Sequence, residues 1–158
     1  MSVAWMNPNA ITAITIHCAA TPRGRNVKAA TISKWDTAKF GQASYHYVIE
    51  LDGNVVQTLR HDQRGAHVGG KNSGNIGICY VGGVEADAKT AADTRTAPQR
   101  ESMALLLQAL RVQFPKAKIL GHRDWSPDVN ANGRIDKFEW LKNCPCFEVA
   151  DLVKELAL

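Results

Sequence analysis

At 158 residues, 45% apolar and 22% charged, the chain is the size of one globular domain and too apolar to be disordered. A net charge of +4 and a pI near 9.0 favour an anionic polymer as partner, but the basic residues are scattered rather than striped, so nucleic acid is not expected. No stretch reaches the length of a membrane span, and MSVAWMNPNAITAITIH lacks the basic and apolar regions of a secretory signal, so the expectation is a chain made in the cytoplasm.

Residues 11–17, ITAITIH, are β-branched and apolar, the pattern of a strand buried on both faces, with His17 at its end. CAATPRGRN is a loop by its proline and glycine. Asn26 is placed to cap a helix from about Val27 to Phe40, with Ala29, Ile32, Trp35 and Phe40 near one face and Gly41 ending it. In SYHYVIELDGNVVQTL two alternating strands flank Asp52-Gly53, a hairpin signal. Residues 60–74 form a polar, glycine-rich loop containing His67, suited to the rim of a groove. NIGICYVGG returns as an apolar, central strand, and a polar connection follows. Thr96-Ala97-Pro98-Gln99 is a capping box that opens an amphipathic helix to about Phe114, carrying Met103, Leu106, Leu107 and Leu110 and stopped by Pro115. KAKIL is a short strand ending at Gly121-His122, and FEVADLVKELAL a short closing helix. The expected fold is α/β: residues 1–158 as a single domain, with a central mixed β-sheet flanked by helices.

His17 and His122 both stand at the C-terminal end of an apolar strand, where open α/β sheets expose side chains to a crevice. A cysteine from the irregular stretch after His122 would complete three ligands, the number a catalytic zinc takes while keeping one position for water. Without a secretory signal, the four cysteines read as thiols or ligands rather than disulfides. Cys144 and Cys146 both remain open for that role, while Cys18 and Cys79 read as buried thiols. His46 and His61 read as structural and exposed respectively.

Ile16-His17-Cys18-Ala19-Ala20-Thr21, Tyr45-His46-Tyr47-Val48-Ile49, His67, Asn75-Ile76-Gly77-Ile78, Gly121-His122-Arg123-Asp124 and Lys142-Asn143-Cys144-Pro145 occur in that order along the chain. This series closely resembles the zinc N-acetylmuramoyl-L-alanine amidases, which include amidase-type phage lysozymes and peptidoglycan recognition proteins. The resemblance implies hydrolysis of the amide between N-acetylmuramic acid and L-alanine of the stem peptide, with bacterial peptidoglycan as partner. It implies His17, His122 and Cys144 as zinc ligands, Tyr45 and Lys142 as catalytic groups, and a tyrosine-type rather than glutamate-type site. His67 is expected to touch substrate from the groove loop. A phage-type endolysin acting on the cell wall is the leading form, as a monomer. A recognition module that binds without cutting and a cytoplasmic muropeptide-recycling amidase are the alternatives.

Residues 126–140 fall outside the short phage pattern. Within them Asp128, Asn130, Asn132, Arg134 by its backbone carbonyl, Asp136 and Glu139 occupy the ligand positions of a twelve-residue calcium loop, with Gly133 at the turn. The same residues also suit a loop of Asx turns that needs no metal.

Overall fold

β1 (Ala13–Cys18) and β5 (Asn75–Tyr80) form the centre of the computed structural model, which describes residues 2–158. They pair in parallel along their whole length, from Ala13 with Asn75 to Cys18 with Tyr80. β7 (Lys118–Gly121) adds in parallel on the other side of β1, and β3 (Tyr47–Ile49) in parallel beside β5. β4 (Val55–Gln57) is antiparallel at the edge, giving the order β4-β3-β5-β1-β7 and the expected mixed sheet. β2 (Thr21–Pro22) and β6 (Gly83–Val84) make a small separate parallel pair.

Strand side chains alternate, so each strand serves two layers. Ile14, Ile16 and Cys18 of β1 and Ile76, Ile78 and Tyr80 of β5 pack with Met103, Leu107 and Leu110 of α2 (Ala97–Gln113) and with Val149 of α3 (Val149–Glu155). On the other face Val48, Cys79 and Val81 pack with Ala29 and Ile32 of α1 (Ala29–Phe40). Beside that patch the same face turns polar, with buried Thr15, His17, His46, His67 and Asn75.

The capping box of α2 forms as expected: Gln99 N–H donates to Thr96 Oγ1 at 3.2 Å and Thr96 N–H to Gln99 Oε1 at 2.9 Å. The same Gln99 amide donates to the carbonyls of Ile49 and Val81, tying the helix start to two strand ends. α1 departs from expectation. It begins after Lys28 rather than being capped by Asn26, and the Glu50 carboxylate receives Ala29 N–H at 2.9 Å and Lys28 Nζ at 2.9 Å. A carboxylate at a helix N-terminus meets both the free N–H groups and the positive end of the dipole. The apolar face is also shorter than expected: Ala29 and Ile32 are buried, whereas Trp35 is 45% and Phe40 50% exposed. Gly41 ends the helix at φ +77°, a conformation glycine adopts without strain. The turn of the hairpin lies at Asp52-Gly53, with Gly53 at φ +86°, but residues 50–54 all lie outside the ladder and Tyr45 precedes β3.

Candidate active site

The register of the parallel strands assembles the site. Ile16 of β1 pairs with Gly121, the last residue of β7, so the residues that follow them, His17 and His122, stand side by side at the C-terminal edge of the sheet. Their Nδ1 atoms are 3.1 Å apart. The third member arrives from the segment after β7. Arg123 N–H donates to the Cys144 carbonyl at 2.9 Å, and Tyr80 Oη donates to the Pro145 carbonyl at 2.7 Å from inside the core. These bonds bring Cys144 Sγ to 3.8 Å from His17 Nδ1, with Cys18 N–H donating to it at 3.3 Å. One ligand atom from each of His17, His122 and Cys144 lies within 4.8 Å of the others, a group that could hold a metal ion. Cys146 turns the other way, its Sγ 3.9 Å from Cys18 Sγ and 3.3 Å from the Gly83 carbonyl.

Beneath this edge lies a histidine layer. His17 Nε2 is 3.0 Å from His67 Nδ1, and His67 Nε2 is 3.2 Å from the Asn75 carbonyl. His67, expected on a groove rim facing substrate, is instead 7% exposed and packed edge-on against His17. The glycine-rich loop that carries it folds in over the sheet, because the polar layer there supplies partners for its ring. His46 is fully buried and structural: its Nδ1 accepts Gly77 N–H at 3.0 Å and its Nε2 donates to the Gln63 carbonyl at 2.8 Å. Neither arrangement could be read from composition, since both depend on backbone groups brought in by the fold.

Residues 7–145 match the N-acetylmuramoyl-L-alanine amidase family. The chain belongs to that family. It is 32% identical to the endolysin of Enterobacteria phage K11 over 140 residues, 88% of this chain and 83% of the phage protein. It is 48% identical to an uncharacterized protein of Haemophilus influenzae over 99 residues, 63% of this chain and 84% of that protein. Its fold is similar to that of an endolysin from a Thermus scotoductus bacteriophage, with a TM-score of 0.68 and 22% identity over 98% of this chain and 88% of that one.

Two further side chains of this amidase flank the three candidate ligands. The Tyr45 ring centroid lies 5.2 Å from that of His17, and the residue packs against the α1 patch. Lys142 lines a cleft of about 260 Å³ with Val68, Gly69, His122, Trp125, Ser126 and Leu141. The electrostatics follow from burial. Desolvation, with His67, His122 and Lys142 adding repulsion, holds His17 well below the usual 6.5; desolvation and Lys142 lower His122 to about 4. Both imidazoles are therefore neutral at pH 7, the form a metal requires. Desolvation and nearby thiols and Asp36 push the Tyr45 phenol well above its usual 10, so it remains a hydrogen-bond donor.

The segment between His122 and Lys142 is held by its own polar groups. Glu139, 5% exposed, receives the N–H groups of Val129, Asn130 and Asp136 at 2.7–3.0 Å. Asp128 receives those of Asn132 and Gly133, and Asp136 the side-chain amides of Asn130 and Asn132. Asn132 Oδ1 also accepts Arg134 N–H at 2.9 Å. Among the described residues the three carboxylates form no convergent ligand group, so the calcium reading finds no support here and the Asx-turn reading accounts for the loop. Sequence reasoning missed how this loop is anchored. Trp140 stacks on the Arg123 guanidinium at 3.8 Å, Arg123 pairs with Glu148, and Leu141 N–H donates to Ser126 Oγ at 3.0 Å, immediately before Lys142.

Proposed function

We propose that this amidase hydrolyses the amide between the lactyl group of N-acetylmuramic acid and L-alanine of the stem peptide, with zinc held by His17, His122 and Cys144. The observation that carries the proposal is the convergence of two neutral imidazoles and one thiol at the sheet edge. Tetrahedral zinc, with bonds of about 2.0–2.1 Å to nitrogen and about 2.3 Å to sulfur, sets nitrogens roughly 3.3 Å apart and nitrogen and sulfur roughly 3.6 Å apart. The separations of 3.1 Å for His17 and His122 and 3.8 Å for His17 and Cys144 match these to within about 0.2 Å. Zinc there would supply Lewis-acid polarisation of the scissile carbonyl and acidify a water towards about pH 7.

The chain's own groups supply the rest. Lys142 brings a positive charge to the cleft beside His122, where it stabilises the oxyanion that develops as the carbonyl becomes tetrahedral. Tyr45, protonated at neutral pH, donates a hydrogen bond to the attacking water or to that oxyanion. The neutral histidines leave Lys142 and the metal as the positive centres of the site, which suits an anionic transition state. The substrate is the bacterial wall, and the form of the enzyme is a phage-type endolysin. No helix of the described residues is long and apolar enough to cross a membrane. The Cys144 thiol favours an enzyme over a module that only binds, since binding alone does not need a third ligand.

Digestion of purified peptidoglycan tests the proposal. Free N-terminal L-alanine is the expected product. New reducing sugar ends, or binding to the wall without released amine, would overturn it.

A further inference from the structure

We propose that His67 is a positioning residue that fixes the tautomer of His17, so that His17 offers the Nδ1 lone pair to the metal. The proposal rests on the metal reading above for its consequence, but its geometry stands apart from it. The Asn75 carbonyl can only accept, so the His67 Nε2 that lies 3.2 Å away carries the proton. A neutral imidazole has one N–H, which leaves His67 Nδ1 as an acceptor. His17 Nε2, 3.0 Å from that atom, must then be the donor. The remaining nitrogen of His17, Nδ1, is bare, and it faces His122 Nδ1 at 3.1 Å and Cys144 Sγ at 3.8 Å. A backbone carbonyl of β5 thus dictates, through two rings, which nitrogen of His17 is free to ligate.

The slot for the His67 ring is built into the fold. A Cβ on Gly77 of β5 would stand 2.8 Å from His67 Cδ2 and 2.9 Å from Cγ, and one on Gly65 would meet the Ser44 carbonyl oxygen first and stand 2.8 Å from the same Cδ2. Alanine at Gly77 would displace the ring, and at Gly65 it would press on both the Ser44 backbone and the ring, so both glycines are required by close approach rather than by backbone conformation. Asn72 Oδ1 accepts His67 N–H at 2.8 Å and fixes the loop from the other side. The Asn75 side chain is itself held, donating to the Lys71 carbonyl at 2.9 Å and accepting from Thr15 at 2.8 Å. Partners of this kind orient a ligand ring and raise its basicity, and their loss typically costs about 10–100-fold in metal affinity.

Two measurements test the relay. In the metal-free, unmutated protein, nitrogen-15 NMR should find His17 and His67 both protonated on Nε2. Zinc affinity by competition with a chromophoric chelator should fall about 10–100-fold in His67→Phe, which keeps the ring shape without its nitrogens. His67→Gln retains an acceptor for His17 and a donor for Asn75, and should recover most of that loss. Protonation of His17 on Nδ1, or wild-type affinity in His67→Phe, overturns the relay. Absence of zinc binding by the unmutated protein would instead remove the metal reading. The NMR result still decides the relay in that case, and also where a variant does not fold.

Discussion

The two faces of the central sheet are made by alternate residues of the same strands, and around β1 and the start of β5 they carry opposite chemistry. Towards α2 and α3, Ile14, Ile16, Ile76 and Ile78 are fully buried against Met103 and Leu107, and each contributes by area removed from water. Towards the loop of residues 60–74, Thr15, His17, Asn75 and His46 are equally buried but polar, and each is held by named hydrogen bonds. The apolar face tolerates any side chain of similar volume and shape. The histidine layer tolerates few, because an unpaired buried nitrogen is costly and a misplaced one cannot ligate. Stability and chemistry are thus separated by a single step along a strand.

That separation is open to direct challenge. Cys144→Ser should lower the amidase rate by about 10³-fold or more and abolish tight zinc binding, while the melting temperature of the metal-free protein stays near wild type. Melting curves and peptidoglycan hydrolysis on one preparation check both halves. Leu107→Ala on the opposite face should do the reverse. It removes about 3 kcal/mol of stability, a fall of roughly 10 °C in melting temperature, with kcat per folded molecule unchanged. A large loss of kcat in the Leu107 variant would mean that the faces are coupled after all. Lys142→Ala should lower kcat about 10²-fold with zinc retained, as measured by turnover beside elemental analysis.

How much of this was visible in the residues themselves depends on the range of the interactions. β1, β5 and β7 are legible because apolar and β-branched residues mark buried parallel strands. His17 and His122 follow, since strand ends are where such sheets expose side chains. The capping box of α2 is local, and so it was readable. The start of α1 was not, because Glu50, its capping carboxylate, comes from just after β3, 21 residues along the chain from Ala29. His67 reads as a surface residue because glycine-rich polar loops usually are exposed. Its burial depends on the gap at Gly77 and on the Asn75 carbonyl, both tertiary features. The oxygens of residues 128–139 fit two grammars at once, and the hydrogen bonds that Glu139 and Asp136 accept satisfy the loop without an ion.

Acid distinguishes the faces more gently. Burial lowers His46 to about 4 and His67 to about 3, so the folded protein favours their neutral forms. Below pH 6.5 the unfolded chain takes up protons that the folded chain refuses, so their contribution is full above pH 6.5 and lost as pH falls towards 4. The melting temperature of the metal-free protein should therefore drop over that window. Leu107→Ala should shift the curve down without changing its slope, because it leaves the buried histidines and their hydrogen bonds in place. A flat profile would show that the histidine layer is protonated in both states.

The most direct measurement is a zinc titration of chelator-stripped protein, with amidase turnover followed at each addition. Activity should rise linearly and saturate at one zinc per chain, and Cys144→Ser should show no such rise. Full activity in the stripped protein, or a wild-type titration in the Cys144 variant, would contradict a catalytic metal held by His17, His122 and Cys144.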